Sequence, residues 1–481
     1  MTCSASLLPS SITSIIASFD CNVHVRRIEN RNHPSTTSAS HHFFSSKIPK
    51  YPLSLSHQKT LRAAQASATA ASVATTHDCD VVIIGAGIIG LTIARQLLSD
   101  SDLSIAVVDR ASPCSGATGA GQGYIWMVHK SPARATWDLS LRSRSLWEKF
   151  ADEVRYHGLD PSQELGWKKT GSMLVGKSAK EADALRNKVK LLNAAGLNAL
   201  FLDNHQLHLA EPDLEVLDDG GAAFLPDDCQ LDAQSTVSYI LKSNQKYSLK
   251  GRYKEFFHDP ITGFARSESG EVAAVQTSKT RLNVKKAVII ATGCWSESLM
   301  KELFPEADGA SNVPVRPRKG HLLVAENAFS LSLRHGLMEV GYVGHETART
   351  ENDTQMLSVS MTATVDAYGN LLLGSSRQFA GFSTDVEDSI VTQIWNRAKG
   401  FFPKLRNRDF SDGKVRVGLR PYMADGRPVI GRVPTSANAF IAAGHEGEGL
   451  CLALGTAELV ADMVLGRPSH TDASPFAFRH L

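Results

Sequence analysis

A glycine-rich turn between a buried strand and a helix constrains the fold of this chain more than any other feature. The turn reads Gly85-Ala-Gly-Ile-Ile-Gly90 and follows an apolar run, Asp80–Gly85, that is typical of a buried parallel strand. A helical segment, Ile88–Leu98, follows the turn, and a second apolar strand ends at Asp109. This strand–helix–strand unit predicts a Rossmann-like, doubly wound α/β fold.

The same turn predicts a dinucleotide site, because each glycine meets a steric need of such a site. Gly85 permits the tight turn, Gly87 lets the backbone approach a pyrophosphate, and Gly90 lets the helix pack on the strand. The helix N-terminus offers unpaired N–H groups and a partial positive charge to the phosphates. Asp109, at the end of the second strand, is placed to hold ribose hydroxyls. The turn alone does not decide between NAD and FAD.

A second glycine-rich segment, Gly116–Gly123, follows the second strand directly. It is expected above the sheet edge, where its small residues would let a bulky ring system approach the backbone. Ser115 and Thr118 are placed to bond a pyrophosphate or ribityl oxygen. The alternative is a mobile surface loop.

Further buried strands are predicted in the middle and at the end of the chain, at Ala287–Gly293 and Ala439–Gly444. The stretch from about 311 to 415 instead contains strand-like segments and one late helix. We therefore predict an α/β protein, α+β overall, in which one doubly wound domain is interrupted by a second domain with a mixed or antiparallel sheet. The predicted boundaries are 77–145, 230–310 and 416–470 for the first domain, and 146–229 and 311–415 for the second.

Residues 1–76 have a composition unlike that of the remaining chain. They are rich in Ser, Thr and Ala and contain two acids, Asp20 and Glu29. Such a segment cannot bury enough apolar surface to fold, and it is typical of an organelle transit peptide. Because the first 25 residues lack Arg and Lys, a plastid is expected before a mitochondrion. A disordered tail without a targeting role is the alternative.

Charge and composition argue against several classes of function. The formal net charge is +2, which gives no basic surface for nucleic acid. No apolar run reaches about 18 residues, so no integral membrane segment is expected. The seven cysteines form no C-x-x-C pair and no zinc-type Cys/His cluster, so we expect no metal site and a reducing compartment.

Seven segments, in this order and spacing, resemble the D-amino-acid oxidase/glycine oxidase superfamily of FAD-dependent oxidoreductases (the DAO family). They are VVIIGAGIIGLTIARQL, the glycine loop, AVIIATGCWS, VRPRKGHLL, NLLLGSSRQFAGF, GLRPYMADGRPVIG and FIAAGHEGEGL. The resemblance implies FAD rather than NAD, and a separate substrate-binding domain. It also implies oxidation of the C–N bond of a small amino acid or related amine by hydride transfer to flavin N5, with dioxygen or a quinone-like carrier as electron acceptor.

The resemblance also implies roles for single residues in the substrate site. Arg420 matches the family arginine that pairs with the substrate carboxylate, which a planar guanidinium grips with two parallel hydrogen bonds. The alternative for Arg420 is a structural role on backbone carbonyls. Tyr342 and Tyr422 are further candidates for the carboxylate site. Glu446 either meets the substrate amine or is solvated.

Carried over residue by residue, the resemblance assigns FAD contacts to two glycine turns, the glycine loop and their neighbours. The second of the two turns, Gly444–Gly449, opens the final helix. The N–H groups of this helix would face the flavin C2=O region and stabilise the reduced state of the flavin. Flavin-linking relatives use a cysteine near Gly418–Arg420 or a histidine within Gly116–Gly123; this sequence has neither, so non-covalent FAD is expected. The assigned residues are Gly85, Ala86, Gly87, Ile88, Ile89, Gly90, Asp109, Arg110, Ser115, Ala117, Thr118, Gly121, Gly123, Thr292, Gly293, Trp295, Gly444, His445, Gly447, Gly449 and Leu450.

Two other functions compete with an amine oxidase or dehydrogenase. One is an FAD-binding assembly or scaffold factor of an organelle, which the acidic turn at 445–449 leaves open. The other is an FAD-dependent modifier of a larger substrate such as an RNA base, against which the near-neutral net charge argues. Arg420 and the intact glycine turns favour the enzyme.

Overall fold

The structure, a computed structural model, describes residues 75–304, 313–326, 331–342, 357–411 and 413–479, together with the backbone of 25–27. Most of the predicted transit segment, including Cys3 and Cys21, lies outside the described residues. The strands are β1 (Val25–Arg27), β2 (Thr75–Ile84), β3 (Ile105–Val108), β4 (Tyr124–Ile125), β5 (Ser172–Gly176), β6 (Leu200–Asp203), β7 (Gly221–Leu225), β8 (Cys229–Gln230), β9 (Tyr253–Phe256), β10 (Ile261–Arg266), β11 (Val272–Thr277), β12 (Thr280–Ile290), β13 (Arg316–Ala325), β14 (Gly336–Glu339), β15 (Ser358–Val365), β16 (Leu371–Arg377), β17 (Lys414–Tyr422), β18 (Val429–Arg432) and β19 (Ala439–Ala443).

The α-helices of the described ranges are named in the same way. They are α1 (Ile88–Asp100), α2 (Trp137–Tyr156), α3 (Pro161–Glu164), α4 (Ala179–Ala194), α5 (Asn204–Ala210), α6 (Ala233–Gln245), α7 (Ser296–Leu303), α8 (Asp388–Lys399) and α9 (Gly449–Leu465). None of them is long and apolar enough to cross a membrane. No group of three or more potential metal ligands lies together in these ranges.

The first sheet has a parallel centre with the order β9-β3-β2-β12-β19. Strand β18 adds antiparallel to β19, and the β10–β11 hairpin extends from the N-terminal half of β12. The central strands are apolar on both faces because packed layers cover both; Val81 to Ile83 and Ile105 to Val107 are almost fully buried. The predicted α/β class and strand–helix–strand unit are confirmed.

Helices α1, α2 and α9 pack together over one face of this sheet. Helix α9 is apolar nearly all round and buries residues such as Leu452, Leu459 and Val460. Each such side chain contributes roughly 1.5–3 kcal/mol on burial. The packing holds the N-termini of α1 and α9 at the same end of the sheet, where the strands finish.

The second sheet is mixed and has nine strands in the order β1-β17-β13-β16-β15-β14-β5-β7-β6. Its longest pairing is antiparallel, between β13 and β17, from Arg316 opposite Tyr422 to Val324 opposite Lys414. Helix α8 packs on one face through Ile390, Ile394 and Trp395. The mixed second sheet agrees with the predicted fold class.

Several features of the fold differ from the sequence analysis. Residues 416–422 were assigned to the first domain, but they lie in β17, because this strand pairs with β13 along its whole length. Strand β1, within the segment predicted to lack structure, pairs with the free edge of β17. Helix α6 and the β10–β11 hairpin were not predicted.

Candidate active site

A cavity of about 810 Å³ lies between the two sheets. One wall is formed by residues at the carboxyl ends of β2, β3, β12 and β19, where ligands of doubly wound sheets bind. The opposite wall comes from β13 and β17, through Gly320–Leu322 and Gly418–Pro421. The site therefore combines the end of one sheet with the face of the other.

The glycine turn after β2 is sterically closed to larger residues. Gly85 has a φ of +114°, and a Cβ there would lie 2.3 Å from the carbonyl oxygen of Ala291. A Cβ on Gly90 would lie 2.0 Å from the carbonyl oxygen of Gly85. Helix α1 starts at Ile88; its N-cap residue, Gly87, has no side chain to cap it, and its first turn contains no acid. The turn therefore offers an anion the N-terminus of α1.

Asp109 lines the cavity but also has a structural role. Its Oδ2 accepts a hydrogen bond from the N–H of Ala86 at 2.7 Å, and its Oδ1 accepts one from the N–H of Ala111 at 2.8 Å. Burial raises the pKa of the Asp109 carboxyl. The residue thus fixes the glycine turn itself, and each oxygen keeps a lone pair for a ribose hydroxyl.

The glycine loop 116–123 is attached to three parts of the molecule. Thr118 Oγ1 accepts from the N–H of Ile88 at 3.1 Å, which ties the loop to α1. Gly121 approaches α9 so closely that a Cβ would lie 2.9 Å from Leu450 Cδ1. The buried Gln122 bonds the second sheet, since its Oε1 accepts from Thr362 Oγ1 at 2.8 Å and its Nε2 donates to the carbonyl of Leu372. These contacts hold the loop against α1, α9 and the second sheet.

The turn before α9 presents a second helix N-terminus to the cavity. Helix α9 begins at Gly449 without a side-chain cap, and Gly449 and Leu450 line the cavity. His445 is buried with Nε2 3.1 Å from Thr456 Oγ1, and burial lowers the pKa of its imidazole to about 4. The imidazole is therefore neutral at pH 7 and adds no charge at this helix end.

The acid at the start of α9 belongs to a buried ion pair. Glu448 Oε2 lies 2.7 Å from Lys130 Nζ, and His129 Nε2 lies 3.6 Å from Glu448 Oε1. Burial alone would raise the pKa of the Glu448 carboxyl, but the charge of Lys130 and the neighbouring His129 lower it. The ion pair locks the turn, and its charges cancel locally.

Three arginines lie close together on adjacent strands of the second sheet, and of these three only Arg420 is among the described residues that line the cavity. They form the arginine cluster, which consists of Arg318 on β13, Arg377 on β16 and Arg420 on β17. Arg318 and Arg420 are directly opposed in the β13–β17 register. Arg420 Nη1 donates to the carbonyl of Ser376 at 2.9 Å, and Arg420 lines the cavity. Among the described residues this is the one hydrogen bond of the Arg420 guanidinium, so other donors remain for a ligand.

Gly320 creates the space that Arg420 occupies. A Cβ on Gly320 would lie 2.5 to 2.6 Å from three atoms of the Arg420 guanidinium. Gly418 on the facing strand likewise admits the glycine loop, because a Cβ there would lie 2.7 Å from Ala120 Cβ. The cavity wall is therefore shaped by two glycines that are opposed in the β13–β17 register.

Glu446 faces the arginine cluster from the turn before α9. Its φ of +47° is rare outside glycine and costs strain that surrounding contacts must hold. Its Oε1 lies 3.4 Å from Arg318 Nη1, and its other oxygen accepts from the N–H of Gly447. Burial alone would raise the pKa of the Glu446 carboxyl; the three guanidinium groups outweigh it and lower that pKa. Glu446 is therefore an ionised group of the cavity wall and not a solvated side chain.

The two candidate tyrosines lie in different places. Tyr342 is buried at the cavity wall, with its hydroxyl 3.1 Å from that of Tyr124 and its ring 3.9 Å from the Arg377 guanidinium. Tyr422 is not among the residues that line the cavity. Its ring packs edge-on against Phe379, and the Arg318 guanidinium lies 5.0 Å from its centroid. The structure therefore brings Tyr342, but not Tyr422, to the cavity.

An aromatic contact bridges the two walls near the nucleotide end. The ring of Trp295 stacks on Phe382 with centroids 5.7 Å apart, and the Arg110 guanidinium lies 4.2 Å from the Trp295 ring. All three residues line the cavity. Phe382 is half exposed, so this contact forms part of the cavity's outer edge.

Most residues assigned to FAD line this cavity, and a few support it from behind. The supporting residues are Ala86, Gly90, Gly123 and Gly444, whose roles are the backbone bond to Asp109 and close packing. Sequence reasoning missed Gln122, Tyr124 and His321 in the lining, and the two further arginines of the cluster. The residues assigned to FAD that line the cavity are Gly85, Gly87, Ile88, Ile89, Asp109, Arg110, Ser115, Ala117, Thr118, Gly121, Thr292, Gly293, Trp295, His445, Gly447, Gly449 and Leu450.

Comparison with known proteins agrees with this geometry. Residues 80–463 match the family model described as DAO, FAD dependent oxidoreductase. The chain is 26% identical over 413 residues to a glycine oxidase of Geobacillus kaustophilus, covering 84% of this chain and 98% of the relative. It is 24% identical over 437 residues to a D-amino acid dehydrogenase of Vibrio atlanticus, covering 81% and 97%. The crystal structure of glycine oxidase from Geobacillus kaustophilus superposes with a TM-score of 0.69 at 22% identity, over 84% of this chain and 99% of that one.

Proposed function

The chain belongs to the DAO family of FAD-dependent oxidoreductases, and from this premise we propose that it oxidises the C–N bond of a small amino acid or related amine. FAD is the cofactor of this family, and the relatives named glycine oxidase and D-amino acid dehydrogenase support an amino-acid substrate. The observation that carries the proposal is the position of Arg420 in the cavity wall, with guanidinium donors left for a carboxylate.

The residues of the cavity fit FAD. The glycine turn and the N-terminus of α1 suit a pyrophosphate, and the glycine-lined wall between the loop and α9 suits a flat ring system. When bound, FAD supplies the two-electron chemistry by accepting a hydride at N5 of the flavin. Neither Gly116–Gly123 nor Gly418–Arg420 contains a cysteine or histidine, which supports a non-covalent cofactor.

Arg420 orients the substrate in this proposal. Two parallel hydrogen bonds from the guanidinium to the carboxylate fix the amino acid and leave its Cα–H directed at the first sheet. Orientation of this kind turns an encounter into an effectively unimolecular step. Tyr342, held by Tyr124 and Arg377, supports the same end of the cavity.

The arginine cluster and Glu446 set the charge that the substrate amine experiences. The amine must be neutral to be oxidised, and nearby positive charge lowers the pKa of a bound ammonium group. Glu446 is the acceptor for the amine N–H in this arrangement, since its carboxylate stays ionised and lines the cavity. The cluster therefore helps to release the proton, while Glu446 keeps the nitrogen in place.

The electron acceptor is the second part of the proposal. With FAD bound, the two electrons taken from the amine would go to dioxygen or to a quinone-like carrier. An oxidase would form one hydrogen peroxide per amine, whereas a dehydrogenase would reduce a soluble quinone faster than dioxygen. Stopped-flow reoxidation of the reduced protein with each acceptor separates the two.

Anaerobic mixing tests the proposed activity. The purified FAD-bound protein is combined with glycine, sarcosine, proline and a set of D- and L-amino acids. We expect at least one compound to bleach the visible absorption band of the oxidised flavin. If the band stays unchanged with every compound while FAD remains bound, a scaffold role replaces the enzyme.

The variant Arg420→Met tests the residue that carries the proposal. It should keep FAD but lower kcat/KM about 100-fold or more, because a carboxylate loses charge-assisted hydrogen bonds. Arg416→Met, on the same strand, is the matched control and should retain activity. Loss of FAD in the Arg420 variant would assign the arginine a structural role instead.

A further inference from the structure

We infer that Phe382, which comes from the second sheet's side of the cavity, closes the nucleotide end by stacking on Trp295 and thereby slows the release of FAD. The inference goes beyond the proposed function, because it concerns how the cofactor is retained and not what is oxidised. Its basis is a stack of three side chains, Arg110, Trp295 and Phe382, all of which line the cavity. We call these three residues the edge stack.

The edge stack lies next to the residue that is placed to hold the ribose of FAD. Arg110 directly follows Asp109, and its guanidinium lies 4.2 Å from the centroid of the Trp295 ring. Trp295 ends a short 3-10 turn, Gly293–Trp295, that follows β12. Both residues of this contact therefore belong to the wall of the first sheet, where doubly wound sheets bind the adenosine half of a dinucleotide.

Phe382 reaches the edge stack from the opposite wall. It belongs to the segment between β16 and α8, residues 378–387, which we call the latch loop. The Phe382 ring is nearly parallel to the Trp295 ring, with an interplanar angle of 23° and centroids 5.7 Å apart. Offset stacking at such a separation is a favoured arrangement of two aromatic rings. One contact therefore joins a loop of the second sheet to the nucleotide end of the first.

The latch loop is anchored to β13 at both of its ends through Lys319. The backbone of Lys319 exchanges two hydrogen bonds with that of Gln378, at 2.8 and 3.0 Å, and Lys319 Nζ lies 2.8 Å from Glu387 Oε1. Lys319 is buried, whereas Gly381 and Phe382 at the tip of the loop are exposed. The ends of the loop are therefore fixed to the second sheet, and the contact with Trp295 fastens its tip to the other wall.

The two rings of the edge stack are not part of the protein core. Neither Trp295 nor Phe382 belongs to the four hydrophobic core clusters of the described residues, and Phe382 is 49% exposed. FAD that leaves through this edge requires the two rings to part, so the stacking contact is lost on the way out. A single aromatic pair changes an equilibrium constant by roughly twofold to tenfold, which sets the size of the expected effect.

The rate of FAD release tests the inference without turnover. The FAD-bound protein is diluted, and the appearance of free FAD is followed by its fluorescence. Phe382→Ala should release FAD about threefold to tenfold faster than the unmodified protein, because the edge stack loses its outer ring. Phe382→Tyr keeps an aromatic ring at this position, so its release rate should stay within about twofold of that of the unmodified protein.

Two further variants assign the effect to the edge stack. Leu217→Ala removes an exposed apolar side chain that does not line the cavity, and it should leave the release rate unchanged. Trp295→Ala should speed release, and the addition of Phe382→Ala should speed it no further, because Phe382 acts through Trp295. The inference is overturned by an unchanged release rate in Phe382→Ala, by equal acceleration in Leu217→Ala, or by additive effects of the two ring removals.

Anaerobic mixing with amines separates this inference from the proposed function, because FAD release is measured without a substrate. If an amine reduces the flavin but Phe382→Ala releases FAD at the rate of the unmodified protein, the inference fails and the amine-oxidising function stands. If release depends on Phe382 but no amine reduces the flavin, the function fails and the role of Phe382 in retaining FAD stands.

Discussion

At the scale of single residues, the site depends on side chains whose position is set by a neighbour. Arg420 is placed by the absence of a side chain at Gly320, over which its guanidinium lies. Glu446 is placed by a left-handed backbone conformation and by the N–H of Gly447. Both side chains are therefore positioned in part by a neighbouring glycine, Gly320 for Arg420 and Gly447 for Glu446. Substitution of that glycine tests the position of the charged group.

Gly320→Ala should reduce activity by displacing Arg420. The added Cβ would lie within 2.6 Å of the guanidinium, which must move, and a displacement of about 1 Å can lower rates about 100-fold. We expect kcat/KM to fall about tenfold to 100-fold, with FAD still bound. Gly263→Ala, whose added Cβ finds only Gln276 Oε1 at 3.5 Å, is the control. Unchanged kcat/KM in the Gly320 variant would contradict the steric account of Arg420.

Because His321 is buried, we expect the folded protein to lose stability in acid. Its pKa is about 4 in the folded protein, below the value of about 6.5 for an unfolded chain. As pH falls, His321 therefore binds a proton in the unfolded state before it does so in the folded state. Its contribution to the free energy of unfolding is complete above pH 6.5 and is lost toward pH 4. His321→Asn should show a smaller drop in Tm between pH 7 and pH 4.5 than the unmodified protein.

The exposed His470 provides the control for this pH effect. Its side chain is 66% exposed, so His470→Asn should leave the pH dependence of Tm unchanged. Differential scanning fluorimetry of the FAD-bound proteins measures both. Parallel Tm curves for the His321 variant and the unmodified protein would show that this imidazole does not couple folding to pH.

Single residues differ in how well the sequence predicted them. Arg420 and Glu446 were identified because they stand in segments that resemble a known family, and Tyr342 because it is near such segments; all three line the cavity. Arg318 was missed because its relation to Arg420 depends on the register of β13 against β17. Strand register is fixed by pairing across the sheet, and one strand's sequence does not contain it.

At the scale of elements, the strongest constraint is the contact between the glycine turn and its helix. Strand β2, helix α1 and strand β3 were predicted to within a few residues, because their apolar patterns are long and bounded by glycine or acid. Helix α6 and the β10–β11 hairpin were missed, because their polar residues dilute the pattern. In strand β10, Thr262 and Arg266 are exposed and the other four residues are only partly buried.

Gly90→Ala should disrupt this element and with it FAD binding. The added Cβ would lie 2.0 Å from a backbone oxygen of Gly85, so the turn and helix must separate. Overpacking of this kind costs about 1–3 kcal/mol, or roughly fivefold to 150-fold in affinity if the turn opens. Bound FAD per chain, measured after gel filtration, should fall accordingly.

Gly263 offers a control for the turn. It lies in β10, outside the cavity lining, and a Cβ there finds only Gln276 Oε1 at 3.5 Å. Gly263→Ala should therefore retain FAD at the level of the unmodified protein. Full FAD retention by the Gly90 variant would mean that the close contact at this turn is dispensable.

At the scale of the whole molecule, the cofactor wall and the arginine-bearing wall are joined around one cavity. Gln122 connects the glycine loop with β15 and β16, and the Trp295–Phe382 stack joins the walls at the outer edge. The fold class and cofactor were predictable from sequence because the glycine turn and the family segments are local. The domain boundary near residue 416 was harder to predict, because β17 belongs to the second sheet only through its pairing with β13.

We propose that residues 1–76 deliver the protein to a plastid. Their scarcity of acids, and the lack of Arg and Lys in the first 25 residues, support this. A fusion of residues 1–76 to a fluorescent protein should accumulate in plastids of a plant cell, whereas a fusion of residues 77–481 should not. Accumulation in mitochondria would instead support a mitochondrial location.

The central claim is that this protein transfers hydrogen from the α-carbon of an amine to its FAD. A single-turnover experiment without oxygen measures it directly, using the best substrate with hydrogen or deuterium at Cα. The account predicts one oxo product and one reduced flavin per active site, with slower flavin reduction for the deuterated compound. Flavin that stays oxidised, or is reduced equally fast with both isotopes and without oxo product, would contradict it.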